Sequence, residues 1–164
     1  MRVAKGKPPF QALIDAHSAD VLRFLRASVG AEAEDCYQET FLSALRAYPR
    51  LRDASNLRAW LLTIAGRKAI DSHRARIRRP LPVEHLPERP VAPTAERDDG
   101  LWDAVRLLPP KQRAAVVCRF ANDLAYAEIG TVLECSEEAA RRSVFEGLRT
   151  LRQRSSMLDA EVIR

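Results

Sequence analysis

The run Glu34-Asp35-Cys36-Tyr37-Gln38-Glu39-Thr40-Phe41 places three carboxylates and one amide within eight positions. Further along, Arg67, Lys68, Arg74, Arg76, Arg78 and Arg79 make six of the fourteen residues from Gly66 to Arg79 basic, and Asp71 is the one acid among them. The first group is chemistry for a basic partner. The second neutralises phosphates, releasing counterions, so its binding falls with salt. Serine, histidine and cysteine form no legible triad, and no glycine loop of the phosphate-cradling kind occurs. Catalytic residues, cofactors and metals are therefore not expected. Two docking surfaces of opposite sign suggest an adaptor between a protein and a nucleic acid.

The 164-residue chain is 46% hydrophobic and 30% charged, enough for one ordinary domain or two small helical ones. Its net charge of +5 is unevenly spread. Residues 1–79 hold 15 Lys/Arg against 8 Asp/Glu, residues 80–99 hold 2 against 5, and residues 100–164 hold 10 against 9. A local excess is the footprint of a polyanion site. The start has no apolar run of signal-peptide length, and no segment approaches a membrane span, so a cytoplasmic protein without membrane insertion is expected. Cys36, Cys118 and Cys135 are too far apart for a disulfide framework or a zinc site and read as free thiols.

Apolar residues recur at three and four, without β alternation, so the fold class is all-α. A first helix ends near Gly30, and a second spans about Ala31 to Tyr48 before Pro49. Asn56 caps a third, which runs to about Arg78 and halts before Pro80. Five prolines between positions 80 and 93 mark an acidic linker. The division is 8–79, linker 80–97, and 98–155. In the last unit Pro109-Pro110 separates two helices. A short helix from Ala125 to Leu133 and a turn at Glu134-Cys135-Ser136 then lead into a final helix ending near Arg154, with a frayed tail. Ser136 is its cap. Two helices around a three-residue turn fit a helix-turn-helix.

Helical spacing puts Tyr37, Phe41, Ala44, Leu45 and Tyr48 on an inward side of the second helix. Asp35, Gln38, Glu39, Leu42 and Arg46 then fall on another side, which leaves Asp35, Gln38 and Glu39 available to a partner. Acids in the first turn also favour the helix dipole, which accounts for Glu32, Glu34 and Asp35 without any partner. On the third helix Trp60, Arg67, Arg74 and Arg78 share a stripe flanked by Lys68, and Asp71 can pair with Arg67 or Arg74. Trp60 is either a core residue or a stacking platform for an unpaired base. In the final helix Arg141 and Arg142 are the leading base-edge candidates, with Ser143 and Phe145 secondary and Arg149 further along.

The pattern Ala33-Glu34-Asp35, Gln38-Glu39-Thr40-Phe41, Trp60-Leu61 and Ile64-Ala65 resembles region 2 of group 4, or extracytoplasmic-function, bacterial sigma factors. Leu108-Pro109-Pro110-Lys111-Gln112-Arg113, Leu124 to Gly130 and Leu148 to Arg152 resemble region 4 of that family. The resemblance implies a two-domain sigma factor that directs core RNA polymerase to promoters and assists melting. By it Asp35, Gln38, Glu39 and Leu42 dock on the β′ clamp. The loop residues Asp53, Ser55 and Asn56, with Arg67, Lys68, Arg74 and Arg78, engage the minus-ten element and a melted non-template strand. Ser136, Arg141, Arg142, Ser143, Phe145 and Arg149 read duplex DNA at the minus-thirty-five element, near the β flap. An anti-sigma factor is the usual partner. Two departures stand out. Gly66-Arg67 replaces a common Arg-Asn, and Ala139-Ala140-Arg141-Arg142-Ser143 replaces Thr-Val-Lys-Ser-Arg. The alternatives are a stand-alone helix-turn-helix regulator and, from another class, a small enzyme using Cys118 or His73.

Overall fold

The computed structural model describes residues 7–78 and 99–162, with side chains through Ser155. The expected linker at 80–97 lies outside the described residues. Among those residues the secondary structure is helical: α1 Phe10–Val29, α2 Ala33–Ala47, α3 Leu57–Arg78, α4 Asp99–Arg106, α5 Pro110–Phe120, α6 Tyr126–Leu133 and α7 Glu137–Val162. Single 3-10 turns follow α1 and α2.

The boundaries follow local chemistry. Gly30, at φ +64°, ends α1 in a conformation that side chains resist. The Asn56 side-chain oxygen accepts from the Ala59 N–H at 2.9 Å, capping α3. Pro110 opens α5, where its missing N–H costs nothing. Ser136 Oγ accepts from the Ala139 N–H at 3.1 Å and caps α7. That helix continues to Val162, beyond the expected end near Arg154. Residues 155–162 contain neither glycine nor proline, and Met157, Leu158, Ala160 and Glu161 are good helix formers.

The first three helices pack around Leu13, Val21, Phe24, Leu25, Leu61 and Leu62, all at most 1% exposed. The inward side of α2 keeps Ala44 and Tyr48 of the expected set but is centred elsewhere, and Leu45 departs from it. Ala33, Cys36, Thr40 and Ala44 are buried, Tyr37 and Phe41 are only partly so, and Leu45 is 51% exposed. Small side chains let α2 approach its neighbours closely, and Thr40 is accommodated by donating to the Cys36 carbonyl at 2.7 Å. Trp60 packs at the core margin, its ring 6.0 Å from that of Tyr48.

The second helical group centres on Val105, Leu108, Val117, Leu124, Ile129 and Val144. It rests directly on the first through a polar seam. Arg113 is 5% exposed and donates at 3.0 Å to the Ser28 carbonyl and at 3.0 Å to the Leu108 carbonyl. Asn122, 1% exposed, donates from its amide to the Asp20 carbonyl at 2.9 Å. Arg58 donates to the Asn122 carbonyl at 2.6 Å and to the Asp20 carboxylate at 2.7 Å.

Two glycines distinguish open from closed packing. A Cβ on Gly66 would meet Phe24 at an ordinary 4.0 Å, whereas one on Gly130 would stand 2.8 Å from the Cys135 carbonyl oxygen. Gly66→Ala is expected to stabilise the protein by about 0.5–1 kcal/mol through helix propensity. Gly130→Ala is expected to destabilise it by about 1–3 kcal/mol, because backbone rather than a flexible side chain must move. Urea denaturation of both variants checks the opposite signs.

Candidate nucleic-acid and protein interfaces

Opposite its buried side, α2 presents Asp35, Gln38, Glu39 and Leu42 to solvent, and the structure adds Leu45. Leu42 is 52% exposed, so two leucines lie among acids and an amide. A face of this kind combines apolar area with charge steering. The sequence signal for Leu45 was its spacing, which fits the outer side once the inner one is centred on Cys36 and Thr40. Glu39 also accepts from Lys68 on α3 at 3.1 Å, so one candidate protein contact and one candidate phosphate contact pair with each other. Asp35, Cys36 and Glu39 line a groove with Lys68, Asp71, Ser72 and Arg76. The Cys36 thiol is pushed up by burial and by nearby Glu32, Asp35 and Glu39, against a hydrogen bond with Ser72. It stays protonated at neutral pH.

On α3 the buried residues Ala59, Leu61, Leu62, Ala65, Gly66 and Ala69 set one side, and Arg67, Arg74 and Arg78 are exposed on the other. Asp71 was expected to pair with Arg67 or Arg74. Arg67 instead forms an ion pair with Glu134, in the turn before α7. Ahead of α3, the Asp53 carboxylate accepts from the Ser55 N–H at 2.8 Å, which lowers its pKa and keeps it ionised. Asn56 is exposed, and its oxygen is committed to the Ala59 cap. Its amide nitrogen has no partner among the described residues.

On α7, Ala140, Val144 and Gly147 face inward. At about 100° per residue, Glu138, Arg142, Phe145 and Arg149 fall within about 60° of arc on the outer side, and all four are exposed. Phe145 is 62% exposed, unusual for a phenylalanine without a partner. Arg141 stands at the edge of this stripe, bonded to Glu137 at 3.0 Å and held over the Tyr126 ring at 4.8 Å. Ser143 is half-buried, and the Ser136 hydroxyl serves as the cap. Glu138 opens α7, where a carboxylate suits the helix dipole and can also accept from a cytosine amino group. Its place in the stripe is clear once the inner side is known.

An exposed recognition stripe, a row of arginines and an acidic helix thus occur in one chain, and the comparisons with known proteins agree. The model for sigma-70 region 2 matches residues 13–79, and that for sigma-70 region 4 matches residues 99–151. The chain belongs to the sigma-70 family. It is 32% identical over 166 residues to the RNA polymerase sigma factor CarQ of Myxococcus xanthus, covering 94% of each. It is 30% identical to the ECF RNA polymerase sigma factor SigD of Mycobacterium tuberculosis, covering 92% of this chain and 78% of that one. Its fold resembles that of the sigma factor RpoE in a complex with the anti-sigma factor NepR from Bartonella quintana. There the TM-score is 0.68 at 20% identity, over 88% of this chain and 94% of the other. CnrH in complex with the cytosolic domain of CnrY gives 0.65 at 19% identity, over 92% and 88%. This sigma factor is of the extracytoplasmic-function type and acts in transcription initiation. No described helix of the sigma factor is long and apolar enough to cross a membrane.

Two histidines carry a pH signature. His73, on α3, has its pKa lowered by burial and by Arg113 and Arg76, against Glu32. His17 is lowered by burial and by Arg58, against Asp20. Groups held below their unfolded pKa, about 6.5, contribute stability above that pH and lose it as pH falls through the window beneath. The thermal midpoint should therefore be flat from about pH 8 to 7 and lower at pH 5.5. The double variant H17Q/H73Q should lose most of that drop.

Proposed function

We propose that this sigma factor holds core RNA polymerase through the outer side of α2, using Asp35, Gln38, Glu39 and Leu42 against the β′ clamp, with Leu45 as a further apolar contact. The observation that carries this reading is the exposure of two leucines among acids on α2, beside an α3 whose own outer side is arginine. In the functional division 8–79, 80–97 and 98–155, the first segment engages the minus-ten element. Asp53, Ser55 and Asn56 meet a base of the melted non-template strand, and Arg67, Lys68, Arg74 and Arg78 meet backbone phosphates. The last segment lies near the β flap and reads duplex DNA at the minus-thirty-five element. Arg142 and Phe145 stand at the centre of the reading stripe, Arg149 extends it, Arg141 flanks it, and Ser136 and Ser143 support its start.

An anti-sigma factor is the proposed regulator, as the structurally similar sigma factor RpoE is in complex with the anti-sigma factor NepR. The protein acts by binding rather than catalysis. Cys118 is fully buried and its thiol is pushed up to about 12, so it supplies no nucleophile at neutral pH.

Run-off transcription with purified core polymerase and genomic fragments tests the reading. A promoter-specific transcript is expected, and the absence of both transcript and core binding would overturn it. Glu39→Lys should weaken core binding by about tenfold or more without altering the melting curve, since the residue is exposed. Arg142→Ala should cost about 1–3 kcal/mol on a promoter with its upstream element intact and little on one where that element is scrambled. Arg141→Ala should cost less, and equal losses on both templates would make Arg142 a phosphate contact.

A further inference from the structure

We infer that the protein holds one small inorganic anion, of the size and charge of chloride, in the cavity where α1, α3 and α5 meet. This site is away from the faces proposed for polymerase and DNA, and it stands whether or not that proposal holds.

Ser28 of α1, His73 of α3 and Arg113 of α5 line the cavity, and its other walls are largely apolar, among them Ala69, Ile70 and Ala114. Its volume is about 10 Å³, the room that one water-sized sphere needs. An occupant is therefore a single heavy atom. Phosphate, acetate and amino acids are too large. Chloride is only slightly larger than water, and Ile70 and His73 are half-buried, so they can yield to admit it and give it a route to solvent.

Two polar side chains at this cavity are more than nine-tenths buried and carry atoms without a hydrogen-bond partner. Arg113, 5% exposed, commits its two terminal nitrogens to the Ser28 and Leu108 carbonyls at 3.0 Å each, and its Nε–H is unmatched. Ser28, 2% exposed, has an unmatched hydroxyl. A guanidinium can only donate, so the 3.4 Å contact between Arg76 and His73 Nδ1 makes that nitrogen the acceptor and puts the ring proton on Nε2. Donors outnumber acceptors here, and an occupant that only accepts satisfies them best.

Charge selects an anion over a water molecule. Among the described residues Arg113 has no carboxylate partner, and the charges acting on it are the like charges of Arg76 and Arg106. Arg113 and Arg76 act on His73 as well, with Glu32 opposing them. A water molecule would serve the hydrogen bonds and leave the buried positive charge uncompensated. Chloride would do both. Loss of the ion's own hydration offsets much of that gain, so the site is weak.

The test uses the full-length chain labelled with nitrogen-15. Sodium chloride replaces sodium glutamate at constant ionic strength and neutral pH, glutamate being too large for the cavity. The Arg113 Nε–H cross-peak should move and saturate, with half-saturation at about 1–50 mM chloride, as a few charge-assisted hydrogen bonds provide. The Nε–H peaks of the exposed Arg67 and Arg149 should drift without saturating. Ser28→Ala removes one donor at little change in volume and should raise the half-saturation concentration at least about fivefold. An Arg113 peak that stays still, or drifts as those of the exposed arginines do, would overturn the inference and leave a water molecule as the occupant. Unchanged half-saturation in folded Ser28→Ala would overturn it equally. If Ser28→Ala does not fold, as judged by circular dichroism, the wild-type titration decides the matter.

Discussion

The packing of α3 on α1 is the contact on which the other surfaces depend. Leu61, Leu62, Ala65, Gly66 and Ala69 turn one side of α3 toward Phe24 and Leu25. A helix with one side in a core has one side left for solvent, and on α3 that side carries Arg67, Arg74 and Arg78. The same burial fixes where α2 must lie. Its small residues Cys36 and Thr40 then settle that carboxylates and leucines point away from the core. The two surfaces of opposite sign are thus consequences of one apolar contact.

The seam between the helical groups is of a different kind. It relies on arginine and asparagine donating to backbone carbonyls, and it leaves polar atoms unmatched. Ser28 Oγ, Arg113 Nε and Asn122 Oδ1 are buried without partners among the described residues. Each such group costs about 1–3 kcal/mol relative to a satisfied one. Burial also pulls down the pKa of Arg113, helped by Arg76 and Arg106, although a guanidinium remains charged at neutral pH. An interface with these penalties holds two bodies together without fusing them.

Much of the fold was legible because its punctuation is chemical. Gly30, Asn56, Pro110 and Ser136 each end or start a helix for a reason visible in one residue. The centre of the inner side of α2 was missed because aromatic side chains outweigh alanine, cysteine and threonine in any hydrophobic count. Close helix packing selects for smallness instead, so Leu45 ended outside. Asp71 was one possible partner for Arg67 or Arg74, because helical spacing reveals neighbours on one helix only, and Arg67 pairs elsewhere. Glu134 lies 67 residues away and leaves no local signal. The same holds for Arg113 and Ser28, whose contact involves a main-chain oxygen that every residue possesses. On α7 the arginines were named from sequence, but which of them share the exposed stripe required knowing which way Ala140 and Val144 face.

The beginning of the chain bears on the loop ahead of α3. Lys7 donates to the carbonyls of Tyr48, Pro49 and Leu51 at 2.5, 3.2 and 3.1 Å, and the Tyr48 hydroxyl donates to the Pro8 carbonyl at 2.5 Å. These contacts anchor one foot of the segment 51–56, and the Asn56 cap anchors the other. A short loop fixed at both feet has little conformational entropy left to lose. For the base capture proposed at this loop, little of the cost then comes from ordering the loop itself.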